Sequence, residues 1–163
     1  MRIAVLGGGP AGLYFAISMM LRDAAHEIVV IERNRADDTF GWGVVLSDET
    51  LQNLAANDPV SAAAIREHFA YWDDVAVIRG GTRTVSTGHG FCGIGRRRML
   101  HILQERAAQL GVELRFESEA DDARPFMAGY DLVLGADGLN SRTRAAFADT
   151  FRPDLQVYSN KFV

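Results

Sequence analysis

Gly7, Gly9 and Gly12 form the pattern G-x-G-x-x-G between a short apolar run and an apolar-rich stretch. Each glycine answers a different demand of dinucleotide binding. The first permits a tight turn, the second lets the backbone approach a pyrophosphate, and the third lets a helix pack closely on a strand. Pro10 and Ala11 then open the helix. Proline suits that first turn, whose free N–H groups and dipole would face the phosphates. Glu32 follows about twenty residues past the last glycine, at the end of the next apolar run, where a carboxylate can accept hydrogen bonds from an adenosine ribose. A carboxylate there repels a 2′-phosphate, so the tightly bound nucleotide is expected to be FAD or NAD rather than NADP. A solvated Glu32 without function is the plain alternative. Arg33 is a further candidate for adenine or phosphate, although exposed arginines after a strand are common.

A second constellation lies at residues 130–144, YDLVLGADGLNSRTR, where an apolar strand runs into Asp137-Gly138. As local chemistry this is a turn with glycine at a permissive position, and Ser141 is placed to cap the helix that follows. Arg96, Arg97 and Arg98 open another expected helix, where positive charge opposes the helix dipole. A nearby anion would remove that conflict.

The elements that must position these residues follow from hydrophobic patterning. Residues 3–6 and 28–31 read as strands and residues 11–21 as a helix, making a strand-helix-strand unit. Such uniformly apolar strands are buried on both faces, as in a parallel sheet covered by helices. Helices are expected at about residues 48–56 and 61–69, and a hairpin at residues 75–85. Met99, Leu103, Ala107 and Leu110 keep helical spacing, with Gly111 as a stop signal. Strands at residues 112–116 and 131–134 follow. The last residues, 152–163, read as the start of another strand. The expected fold class is α/β, a Rossmann-like parallel sheet with flanking helices and a small antiparallel insertion.

Composition narrows the classes. The chain has 163 residues, 48% of them hydrophobic, enough apolar material for one core. Its 17 basic and 21 acidic residues give a net charge of −4, which argues against nucleic acid as the partner. The single cysteine, Cys92, cannot form an internal disulfide, and a reducing cytoplasmic setting fits best. The apolar N-terminal run is broken by three glycines and Pro10, so neither a signal peptide nor a membrane span is expected.

The Asp-Gly segment, preceded by its strand and followed by Ser141 and Arg144, resembles the fingerprint of the flavoprotein aromatic monooxygenases. With the segments ERNRADDTFGWGVVLSDETL and HGFCGIGRRRMLHIL, it is similar over essentially the whole chain to the monooxygenase part of the anthraniloyl-CoA and salicylyl-CoA hydroxylases. A more distant likeness, through GWGVV, is to the hydroxylase of violacein biosynthesis. The resemblance implies bound FAD, NADPH or NADH as transient reductant, and an aromatic substrate carried as a CoA thioester. It places Asp137 and Gly138 near the FAD pyrophosphate, Arg96 in contact with FAD, and Trp42 and Ser47 near the flavin. An aromatic that merely anchors a loop is the other reading of Trp42.

The family's later Gly-Asp motif is not in this sequence. Residues 1–163 are therefore expected to be one FAD-binding domain, the N-terminal part of a longer monooxygenase, with the missing C-terminal part or a second copy as possible partner. An NAD-dependent dehydrogenase or a non-catalytic nucleotide-binding fragment are the rival readings.

Overall fold

The computed structural model describes residues 1–159, in the order β1 (Arg2–Leu6), α1 (Pro10–Arg22), β2 (Glu27–Ile31), β3 (Gly43–Leu46), α2 (Asp48–Asn57), α3 (Pro59–Arg66) and β4 (Ala70–Trp72). There follow β5 (Val75–Arg79), β6 (Thr82–Ser86), β7 (Phe91–Gly95), α4 (Arg96–Gln109), β8 (Glu113–Arg115), α5 (Arg124–Met127), β9 (Leu132–Gly135), α6 (Arg142–Ala146) and α7 (Ala148–Phe151).

Four strands form a parallel sheet in the order β8-β2-β1-β9. Alternate side chains of β1 and β2 enter two separate cores, as a two-residue strand period requires. Ile3, Val5, Ile28 and Val30 pack with Leu13, Ala16 and Ile17 of α1 and with Met99, Leu103 and Ala107 of α4. Ala4, Leu6, Val29 and Ile31 face the other way, against Ala123, Phe126, Tyr130 and Phe147. Both faces are covered, which is why these strands read as continuous apolar runs.

Helix α4 ends where Gly111 was expected to stop it. Gly111 N donates to Ala108 O and Val112 N donates to Ala107 O, the paired bonds of a Schellman cap. The expected hairpin is β5–β6. A second antiparallel sheet, β3-β7-β4, goes beyond the expectation. Its central strand, FCGIG, is masked in sequence by two glycines, of which Gly93 has a packing reason: a Cβ on it would stand 3.0 Å from the Trp72 ring. The strand expected over residues 152–163 does not form through residue 159, and its last four residues lie outside the described residues. No helix among the described residues is long and apolar enough to cross a membrane.

One buried ion pair ties α3 to α4. Asp58, 1% exposed, caps α3 through Ser61 and takes a bidentate grip from Arg106, with Nε and Nη2 each at 3.0 Å. Burial alone would raise the Asp58 carboxyl, but the bonds from Arg106 and Ser61 outweigh it and hold the group below its ordinary value. Asp58→Ala is expected to destabilise the chain by about 3–5 kcal/mol, because it strands the largely buried Arg106 charge. The folded carboxyl titrates lower than the unfolded one. The contribution is therefore complete above about pH 4 and is lost as pH falls through the depressed value. Chemical denaturation of both proteins from pH 7 to acid checks this: the gap between them should narrow only on the acid side.

Candidate functional site

The ends of β1, β2 and β9 open into a cleft of about 460 Å³. It sits at the carboxyl edge of the parallel sheet. The chain leaves β1 toward β2 on one side, while β9 pairs on the other, so the cleft lies at the topological switch point where α/β sheets take their ligands.

The glycine turn builds its floor. Gly7 has φ +116°, and a Cβ there would stand 2.3 Å from Ala136 O. A Cβ on Gly12 would stand 2.1 Å from Gly7 O. These two glycines are thus required by the protein's own packing. Gly9 differs, since a Cβ on it meets nothing within 4 Å among the described residues and its φ of −72° suits any residue. Gly9 is also the N-cap of α1 and supplies no side-chain bond to the free N–H groups of that turn. The protein leaves open at Gly9 a space and a partial positive charge that fit a phosphate.

Glu32 stands beside this turn. Its Oε2 accepts from Gly8 N at 2.7 Å, and its Oε1 accepts from Asn34 N and Asn34 Nδ2 at 2.8 and 2.7 Å. Its backbone oxygen accepts from Ser118 N at 2.9 Å, and Asn34 O accepts from Glu117 N at 3.1 Å. Glu117 takes the left-handed φ of 51° to make that contact, a conformation rare for a side-chain-bearing residue. Residues 116–120 form a third wall, of which the sequence patterning offers only Phe116, as the end of the strand expected at residues 112–116. It lines the cleft with Phe116, Ser118, Glu119 and Ala120 and holds the loop after β2 through backbone N–H groups, which carry no motif.

Arg96 is half-buried at the head of α4 and lines the cleft, its guanidinium against the Gly41 turn. Arg97 points elsewhere and pairs with Asp37 at 3.3 Å. Gln104 Nε2, about two helical turns further on, donates to Ala36 O at 2.8 Å and so fixes the loop after β2. Thr39 also lines the cleft, and its Oγ1 is buried with no protein partner among the described residues.

Asp137 lines the opposite wall with Gly138, yet its carboxylate is spent inside its own turn. Oδ1 accepts from Ser141 Oγ at 2.6 Å and Oδ2 accepts from Thr143 N at 2.9 Å. Burial works to raise this carboxyl, but the Ser141 and Thr143 bonds prevail and hold it low. Ser141 caps α6 as expected, accepting from Arg144 N at 2.9 Å. Arg142 crosses from α6 to the third wall and pairs with Glu119 and Asp121.

Of the residues singled out from sequence, Gly7, Gly9, Pro10, Glu32, Arg33, Arg96, Asp137 and Gly138 line this one cleft. Ala11 and Gly12 stand just behind it in the first turn of α1. Ser47 is not part of the lining; its Oγ caps α2, accepting from Thr50 N at 3.3 Å. Trp42 is 99% exposed, so it does not anchor its loop. Asn34, Gln104, Phe116, Ser118 and Glu119 are lining residues that sequence reading did not single out.

Comparison with known proteins supplies the family. The chain is 45% identical over all its 163 residues to salicyloyl-CoA 5-hydroxylase of Streptomyces sp, and covers 31% of that protein. It is 32% identical over its full length to protodeoxyviolaceinate monooxygenase of Chromobacterium violaceum, covering 44% of it. The chain therefore spans less than half the length of these relatives. The tetrameric form of 2-methyl-3-hydroxypyridine-5-carboxylic acid oxygenase superposes on 90% of this chain with a TM-score of 0.74 at 25% identity, over 42% of its own length. The profile of the FAD binding domain matches residues 1–128, from the glycine turn through the third wall of the cleft, and the chain belongs to that FAD-binding family.

Proposed function

We propose that this chain holds the adenosine diphosphate half of FAD in the cleft and forms the N-terminal, nucleotide-binding part of an aromatic-ring hydroxylase. The observation that carries the reading is the convergence of an uncapped helix start, an open position at Gly9 and the Glu32 carboxylate in one cleft. In this reading the first N–H groups of α1 and the Arg96 guanidinium hold the pyrophosphate, Glu32 holds the ribose, and the Asp137-Gly138 turn closes the far wall. When bound, FAD supplies the redox chemistry that delivers one oxygen atom of O2 to an electron-rich ring, with NADPH or NADH as reductant. The protein's share is to bind, orient and keep water out.

The 45% identity to a salicyloyl-CoA hydroxylase supports an aryl-CoA thioester, such as salicyloyl-CoA or anthraniloyl-CoA, as substrate. A single thiol supports a reducing, cytoplasmic setting. We further propose that residues outside this chain cover the flavin end of the cleft and seat the ring. The exposed aromatics Phe40 and Trp42, next to Arg96, support this, Trp42 O accepting from Arg96 N at 3.1 Å.

Gly9→Val is expected to melt close to the parent while weakening ADP and FAD at least tenfold, because its side chain fills only the phosphate space. Gly12→Val is expected to unfold or to lose several kcal/mol, in the range of about 1–3 kcal/mol or more for overpacking. Thermal melts and titration calorimetry on both variants separate the two roles, and unchanged ADP affinity in Gly9→Val overturns the phosphate assignment. For the whole reaction, the purified chain with FAD, NADPH and salicyloyl-CoA is expected to form no hydroxylated product. Stoichiometric product from this chain alone overturns the assignment of ring binding to residues outside it.

A further inference from the structure

An ionised carboxylate offers about four acceptor positions, two on each oxygen. In Glu32 three are already taken by the protein among the described residues. Oε1 accepts twice from the same residue, from Asn34 N and Asn34 Nδ2, and Oε2 accepts once from Gly8 N. One acceptor position is left, on Oε2. An adenosine ribose presents two vicinal hydroxyls, and one position cannot serve both.

Asn34 is itself fixed. Its backbone oxygen is held by Glu117 N and the neighbouring Glu32 oxygen by Ser118 N, so the loop cannot slide along the third wall without breaking both bonds. Two donors from one anchored residue also fix the plane of the carboxylate. The Gly8 side is equally confined: a Cβ on Gly8 would stand 2.8 Å from the Glu32 Cβ, so turn and side chain are in direct contact.

We propose that Asn34 sets the ribose specificity of the cleft: by filling Oε1 it leaves Glu32 a single acceptor, so the carboxylate recognises one ribose hydroxyl and not the other. This rests on the cleft being a nucleotide site. Asn34 is a positioning residue, acting through Glu32. In Asn34→Ala the backbone donor stays and the Nδ2 donor goes, which frees a second acceptor position, now on Oε1.

The test is calorimetry of the 163-residue chain with ADP, 2′-deoxy-ADP and 3′-deoxy-ADP. The parent is expected to bind one deoxy analogue about tenfold more weakly than ADP, the effect of one hydrogen bond to a charged acceptor, and the other as tightly as ADP. In Asn34→Ala both analogues should bind more weakly than ADP, a change in pattern that a merely structural role for Asn34 does not produce. In Glu32→Ala all three ligands should bind alike. Equal losses for both analogues in the parent, or no loss for either, overturn the proposal without touching the nucleotide reading, and they do so whether or not the Asn34 variant folds. An unchanged parent pattern in folded Asn34→Ala also overturns it. Absence of any ADP binding to the parent overturns the nucleotide reading, and this proposal with it.

Discussion

Three backbone segments meet where no Cβ fits, and the rest of the site depends on that contact. The missing Cβ of Gly12 would lie 2.1 Å from Gly7 O, and that of Gly7 would lie 2.3 Å from Ala136 O. The start of α1, the end of β1 and the exit of β9 are therefore in direct backbone contact. Protein interiors are close-packed and tolerate little displacement. Moving any one of the three would open a gap under the other two. With that junction fixed, the free N–H groups of α1, the Gly8 bond to Glu32 and the Asp137-Gly138 turn are all placed by the same packing.

This contact explains which parts of the molecule were legible in the sequence. A strand buried on both faces must be apolar throughout, and β1 and β2 announce themselves that way; Gly7 and Gly12, required by close approach, show as part of the G-x-G-x-x-G spacing. The β3-β7-β4 sheet sends a weaker signal. Gly93 and Gly95 interrupt the alternation of β7, and the side chain that covers Gly93 comes from Trp72, some twenty positions earlier. Pairing between distant segments is what decides such a strand, and local pattern does not contain it. The third wall of the cleft was illegible for a related reason. Ser118 and Glu117 act there through backbone N–H groups, which every residue but proline possesses.

Asp137 separates the type of a residue from its task. The resemblance to flavoprotein monooxygenases marks it as a cofactor neighbour, and it does line the cleft. Its two oxygens nevertheless serve Ser141 Oγ and Thr143 N. Those bonds favour the charged form over the neutral one, which is why its titration falls below the ordinary carboxylate value despite burial. The negative charge at this wall is thus engaged by the turn itself. What the turn can offer a ligand is its backbone, with Gly138 at φ +79° leaving that backbone bare of a side chain.

The arginines at the head of α4 show two ways in which a local electrostatic conflict can be met. Positive charge at a helix N-terminus is unfavourable by about 0.3–1 kcal/mol per residue at an exposed site. Arg97 relieves its share by pairing with Asp37. Arg96, half-buried and against the Gly41 turn, instead lines the same cleft as Gly9 and the start of α1, a helix end that is also electropositive. Two like potentials converge on one volume. Such an arrangement favours an anion between them, the charge that the proposed pyrophosphate would bring. In the proposed reading, the conflict that local helix rules register at Arg96 is the electrostatic counterpart of the space left open at Gly9.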